Sequence, residues 1–262
     1  MPLRHIHPRY RVLEKYISSL DVQGFYESSP ALTLYKKRNT LRRFKVENVD
    51  FVIKSFEHTV WINKFVYGLG LRTTKAERGW TYANKLLELG VDTPLPIATV
   101  ECRRCGKLKR SYFCYLYSKN QPLLEVMEHL GELPEEQQDQ WISEVTDFLI
   151  MLHDKGIIHK DLHMNNILYK TLEDGSHQFQ FIDINRMKFL KKVSPKERLS
   201  NFDNIIHDDV LMERILYSYA EKAGIDDKLV QKERKRRYRK EHVTKPIRHF
   251  FKRLFKGGKK RG

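Results

Sequence analysis

Eight consecutive residues, held between two apolar pairs, constrain this chain more than any other stretch. Ile157-Ile158 leads in and Ile167-Leu168 leads out, and between them stands His159-Lys160-Asp161-Leu162-His163-Met164-Asn165-Asn166. Apolar pairs of this kind seek a core, so the segment reads as a loop pinned at both ends with its polar groups presented above it. An acid and an amide, Asp161 and Asn166, stand five residues apart within it. The pattern changes around the loop. Before it, Pro134-Glu135-Glu136 opens a helix with acids at the positive end of its dipole. Trp141, Val145, Phe148, Leu149 and Leu152 then share one face of that helix up to His153. After the loop, Asp174-Gly175 signals a hairpin between Ile167-Leu168-Tyr169 and Phe179–Ile182.

The first third is strand-rich. Ala31–Tyr35 and Val49–Phe56 are short and rich in β-branched or aromatic residues. Thr73–Leu89 reads as a helix, with Ala76, Trp80, Ala83, Leu86 and Leu87 at helical spacing and a stop at Gly90. After Asp92-Thr93-Pro94-Leu95-Pro96, two strands over 97–101 and 111–117 suggest a hairpin around Gly106. A further helix is expected over 208–223. The expected fold class is therefore α+β, with a strand-rich N-lobe over residues 1–117, a mainly helical C-lobe over 118–230 and a basic tail over 231–262. No run approaches the ~20 apolar residues of a membrane span. The N-terminus lacks the apolar core of a signal peptide, so a cytoplasmic protein is expected.

The order of four short motifs points to phosphoryl transfer. His159–Asn166 fits the protein-kinase loop H-x-D-L-x-x-x-N. A carboxylate, Asp161, orients the acceptor hydroxyl and takes its proton, His159 supports the loop, and the Asn166 amide oxygen faces a metal ion without adding charge. Asp183, at the end of Phe181-Ile182, stands 22 residues after Asp161, where a kinase places its main magnesium ligand. Lys54 ends the strand Phe51-Val52-Ile53, as the phosphate-binding lysine of V-A-I-K does. Glu77, 23 residues later, is the acid expected to hold that lysine. Each of these alone has a plainer reading: a capped turn, a strand-end Asp, a snorkelling Lys, a surface Glu. The order of all four selects the kinase reading, with bound ATP and Mg²⁺. Two departures stand out. Ile184-Asn185-Arg186 replaces Phe-Gly after Asp183, and the first hairpin, Lys36–Phe44, has no glycine. Arg38 and the Asn39 amide are the groups expected to meet phosphates in its place.

Further residues narrow the family. Arg38-Asn39, Val52-Ile53-Lys54-Ser55-Phe56, Ile62-Asn63, Lys75-Ala76-Glu77-Arg78, Ala83-Asn84-Lys85-Leu86-Leu87 and Gly90–Ile97 carry the resemblance, together with His159–Asn166 and Ile182–Arg186. Over roughly residues 25–220 the chain resembles the lipopolysaccharide core kinases, which include Kdo and heptose kinases. The resemblance implies a bilobal protein-kinase-like fold that uses ATP and Mg²⁺. It implies a sugar hydroxyl of the lipid A-core saccharide as acceptor, at the cytoplasmic face of the inner membrane. Kdo is favoured over heptose on resemblance, and Arg186 is expected to brace the loop, with contact to an anionic sugar or phosphate as the alternative. Two rivals stay open: a small atypical Ser/Thr protein kinase, and a non-catalytic nucleotide-binding scaffold.

The formal charge of +16 is concentrated at one end. Residues 231–262 hold 15 Lys/Arg against 2 Asp/Glu, and the remainder holds 34 against 31. Lys232–Lys240 reads as a charge run. In Pro246–Lys256, Ile247, Phe250, Phe251, Leu254 and Phe255 share one helical face among basic residues. Such a segment suits an anionic inner-membrane surface, at ~1 kcal/mol per basic residue near it. No recognition motif suggests nucleic acid. Cys102 and Cys105 form half a zinc knuckle without a second pair, so a plain hairpin turn is the preferred reading.

Overall fold

The computed structural model describes residues 3–18, 26–27, 31–36, 39–57, 73–104 and 107–240. Arg38, Ile62-Asn63, Cys105-Gly106 and the segment Pro246–Lys256 lie outside the described residues. The chain resolves into two compact units: Met1–Leu123 with Asn165–Met187, and Leu124–Met164 with Lys188–Gly262.

The first unit is built on a six-stranded antiparallel sheet. Its strands are β1 (Leu3–Ile6), β2 (Leu32–Lys36), β3 (Asn39–Val46), β4 (Val49–Glu57), β5 (Pro96–Arg104) and β6 (Lys107–Leu116), in the order β1-β5-β6-β4-β3-β2. Phe44, Phe51, Ile53, Ile97, Val100, Tyr112 and Cys114 form the core on one side. Leu13 and Ile17, from the helical turns of residues 8–17, join that cluster. Burial pushes the Cys114 thiol pKa up, so it stays protonated and packs as a small apolar group.

Helix α1 (Lys75–Glu88) packs on β5 and β6 through Ala76, Gly79, Ala83 and Leu86. The helix begins as the sequence indicates: Thr74 caps it, its Oγ1 accepting the Glu77 amide at 3.1 Å. Gly79 is tolerated in mid-helix because nothing larger fits there. A Cβ at that position would lie 2.8 Å from the Phe113 ring. The three-stranded sheet β9-β8-β7 completes the unit, with β7 (Gln121–Pro122), β8 (Ile167–Thr171) and β9 (His177–Phe181). The β8–β9 hairpin turns at Asp174-Gly175 as expected. It was expected in the C-lobe beyond residue 117. It groups with the first unit because β8 pairs with β7 and β9 is tied to Asp92-Thr93.

The second unit is helical: α2 (Glu135–Asp154), α3 (Pro195–Ser200), α4 (Asp209–Lys222) and α5 (Asp227–Arg239). Trp141, Val145, Phe148, Leu149 and Leu152 are buried along α2, as their spacing indicates. The charge run Lys232–Lys240 is largely the second half of α5, so the tail boundary at 231 falls inside a folded helix. Asp226 caps α5, and Val230 and Glu233 are buried. Arg236 and Lys240 both reach Asp203, at 2.6 and 2.7 Å, and Arg234 reaches Glu213 at 2.6 Å. Burial alone would raise the Asp203 carboxyl. The hydrogen bonds from Arg236 and Lys240 outweigh it and hold the group below the usual carboxylate range. Part of the basic tail is thus neutralised by the unit it belongs to.

Candidate functional site

Lys54 sits near the centre of the first unit's sheet, opposite Leu41 on β3 and Phe113 on β6. The β-branched run before it makes a central strand, so its stem is buried and only its ammonium can reach a polar partner. That partner is Asp183: Lys54 Nζ donates to Asp183 Oδ1 at 2.7 Å. The acid expected beside Lys54 was Glu77. Glu77 is held elsewhere, by His5 Nε2 at 2.8 Å. The cause is edge strand β1, which lays the His5 ring against Trp80, one turn along α1, at a centroid distance of 5.2 Å. Nothing in the local sequence of residues 3–6 announces that strand.

Asp183 is placed by three devices. The register pairing Phe181 with Ile167 puts Asn166 and Asp183 beyond the same end of the β8–β9 hairpin, where Ile182 N–H donates to Asn166 O at 2.9 Å. The Asp92-Thr93 turn grips the strand just before Asp183. Phe181 N–H donates to Asp92 O at 2.9 Å, and Thr93 Oγ1 donates to Phe181 O at 2.8 Å. This gives the Thr-Pro-x-Pro segment a physical purpose and makes Thr93 a site-building residue. Finally, Asp183 adopts a left-handed conformation, φ 52° and ψ 44°. A non-glycine residue held there costs on the order of 1 kcal/mol, and such strain concentrates at working sites.

Asn185 was noted in the sequence only as a departure from Phe-Gly. In the structure it is buried, its Nδ2 donates to Asp183 Oδ1 at 3.3 Å, and its Oδ1 is buried without a hydrogen-bond partner. Lys54, Thr93, Pro94, Phe113, Tyr115 and Asp183 line one small pocket with it. An orphaned amide oxygen beside an exposed carboxylate is a set of hard oxygen donors that suits a magnesium ion. Among the described residues, no group of three or more His, Cys, Asp or Glu side chains is placed to hold a metal. A cation at this pocket would therefore depend on amide oxygens. Asn39 opens β3, and its Oδ1 too is buried without a partner. Arg186 is exposed.

His159 and Asp161 belong to the second unit. His159 is fully buried, and its Nδ1 accepts the Asp161 backbone N–H at 3.2 Å. Leu162 N–H donates to His159 O at 3.0 Å, closing the turn that carries Asp161. His163, two residues on, packs edge-to-face with His207 at 5.6 Å. Burial first, and then the His207 ring, lower its pKa.

Comparison with known proteins gives the family and the fold. The family profile described as the lipopolysaccharide kinase (Kdo/WaaP) family matches residues 36–221. A solved structure of WaaP in complex with acyl carrier protein superimposes with a TM-score of 0.60, covering 91% of this chain and 99% of that one at 15% identity. The likeness shows the expected kinase-like fold. The 3-phosphoinositide-dependent protein kinase 1 of Homo sapiens is 34% identical over 94 residues, 36% of this chain and 16% of its own length. The Mus musculus protein of the same name matches to the same extent. The chain spans about a sixth of the length of these curated relatives.

Proposed function

The chain belongs to the lipopolysaccharide kinase (Kdo/WaaP) family, and from that premise we propose that it transfers the γ-phosphoryl group of ATP to a sugar hydroxyl of the inner core, Kdo before heptose. Its membership makes it a phosphotransferase. The sugar, the magnesium ion and the place of action are our reading. The observation that carries it is the Lys54–Asp183 contact at 2.7 Å, made by an aspartate held in a strained conformation beside an orphaned amide oxygen.

In this reading Lys54 holds the α- and β-phosphates, and Asp161 orients the acceptor hydroxyl and accepts its proton, with His159 fixing the loop beneath it. Asp183, Asn166 and Asn185 are the residues that would hold a magnesium ion, which would neutralise phosphate charge. Asn39 and Arg38 are the groups assigned to the phosphates in place of a glycine-rich loop. The reaction takes place at the cytoplasmic face of the inner membrane, and Pro246–Lys256 with its basic flank is the proposed contact to the anionic surface. Among the described residues no helix is long and apolar enough to cross a membrane. Acyl carrier protein, the partner in the WaaP structure, is a candidate partner here.

Two substitutions test the assignment of Lys54. Lys54→Met is expected to lower kcat/KM for ATP by about 100-fold, the usual loss for one phosphate-directed charge. Glu77→Gln removes only a half-exposed pair with His5 and is expected to cost less than about fivefold. Steady-state kinetics on lipid A-core decides. Equal losses from both variants would restore Glu77 as the partner of Lys54, and no loss from Lys54→Met would remove the lysine from the mechanism.

A further inference from the structure

A chain of hydrogen bonds centred on the buried His153–Tyr219 pair runs through the second unit and ends on the loop that carries Asp161. Asn201, between α3 and the following 3-10 turn, donates from Nδ2 to the carbonyl oxygen of His159 at 2.8 Å. A carbonyl only accepts, so this bond fixes which way the amide faces. Asn201 Oδ1 then lies 3.1 Å from His153 Nε2, which must carry the proton. His153 Nδ1 is left as an acceptor, and the Tyr219 hydroxyl, 2.7 Å away, supplies it. Arg198 donates to the Tyr219 oxygen at 3.5 Å and to Asp154 at 2.6 Å. From Tyr219 through His153 to Asn201, each donor points towards His159.

The groups around His153 keep the series in one state. Tyr219 from α4, Asn201 and Phe202 from the 3-10 turn and Arg198 from α3 pack about a ring that is fully buried. The charged groups near it are Arg198 and Asp154. Burial, assisted by the Arg198 charge, outweighs the Asn201 hydrogen bond and Asp154 and brings the His153 pKa down to about 4. The imidazole is therefore neutral through the physiological range, with a single tautomer.

We propose that Asn201, oriented by His153 and Tyr219, is a positioning residue for phosphoryl transfer: it holds the His159 carbonyl and thereby sets the backbone from which Asp161 reaches the acceptor hydroxyl. The inference rests on the reading of Asp161 as the proton acceptor. His159 is anchored at both ends of its residue, through Nδ1 to the Asp161 amide and through its carbonyl to Asn201. A loop so tied has little freedom left at Asp161, and small misplacement of such a group is costly in rate.

The test uses the full chain with ATP and lipid A-core saccharide. Asn201→Asp keeps the acceptor facing His153 and replaces the donor facing His159 by an oxygen. Its kcat is expected to fall about 30-fold, in the range found for outer partners of working groups, with KM for ATP unchanged. Tyr219→Phe removes a bond two steps further back and is expected to lower kcat about fivefold, again at constant KM for ATP. Long-range ¹H–¹⁵N spectra of the unmutated protein, which need no activity, are expected to show His153 neutral and protonated on Nε2 from pH 6 to 8. A His153 protonated on Nδ1, or titrating within that range, overturns the inference, as does wild-type kcat in Asn201→Asp. Asp161→Ala in the same assay separates the two claims. If it is inactive while Asn201→Asp is fully active, only the positioning role falls. If Asp161→Ala is fully active, the reading of the site falls and takes the positioning role with it.

Discussion

Asp161→Ala is expected to leave a folded protein that binds ATP and transfers almost nothing. A positioned proton acceptor contributes about 10²–10⁴-fold, so kcat should drop by on the order of 10³. The ground for expecting intact structure is local. The loop uses the backbone N–H of Asp161, bonded to His159 Nδ1, and alanine keeps that group. Lys54 and Asp183 are untouched, and the charge that is lost serves the acceptor hydroxyl rather than holding a phosphate, so nucleotide affinity should stay within about twofold. Single-turnover transfer to lipid A-core, with calorimetric titration of ATP, measures both quantities. A variant that transfers at the wild-type rate would end the mechanism.

The largest expected effect on stability is at Gly156. It follows α2, immediately before the short strand Ile157–His159 that runs into the loop. Its φ is +75°, and a Cβ there would lie 2.0 Å from the carbonyl oxygen of Leu190. That oxygen belongs to backbone, and the same residue's N–H donates to Gly156 O at 2.7 Å, so neither side can give way without breaking the bond. Left-handed backbone costs an L-residue about 1–2 kcal/mol, and the overlap adds to it. Gly156→Ala should therefore lose about 3–5 kcal/mol, a large part of a typical domain's stability. Gly175→Ala is the control. Its φ is +82° but nothing lies within 4 Å of the added atom, so only the backbone cost of about 1 kcal/mol applies. Equilibrium urea unfolding compares the two, and equal losses would contradict the steric argument.

Much of this was legible in the sequence because it is local. Thr74, the three-to-four spacing of Ala76, Trp80, Ala83 and Leu86, and Asp174-Gly175 each act within a few residues, and the structure places α1 and the β8–β9 hairpin where they indicate. The turn that carries Asp161 is local too, closed by the Asp161 N–H on His159 Nδ1 and by Leu162 N–H on His159 O. What was not legible depends on distant pairing. Lys54 meets Asp183, 129 residues away, rather than Glu77, because β1 captures Glu77 through His5. The helix α5 was concealed by its charge. Only Val230 and Glu233 are buried on it, too few to show a period among so many Lys and Arg. Thr93 and Asn201 look like ordinary polar residues, and their meaning comes from bonds to Phe181 and His159, 88 and 42 residues away.

The central claim is that this chain phosphorylates a sugar of the lipopolysaccharide inner core. It is tested most directly by mass spectrometry of lipid A-core incubated with ATP, Mg²⁺ and either the wild-type protein or Asp161→Ala. The account predicts one added phosphoryl group on a core sugar fragment, Kdo rather than heptose, with the wild type and none with the variant. An unmodified core saccharide with active wild-type protein, alongside phosphate appearing on a protein acceptor, would contradict it.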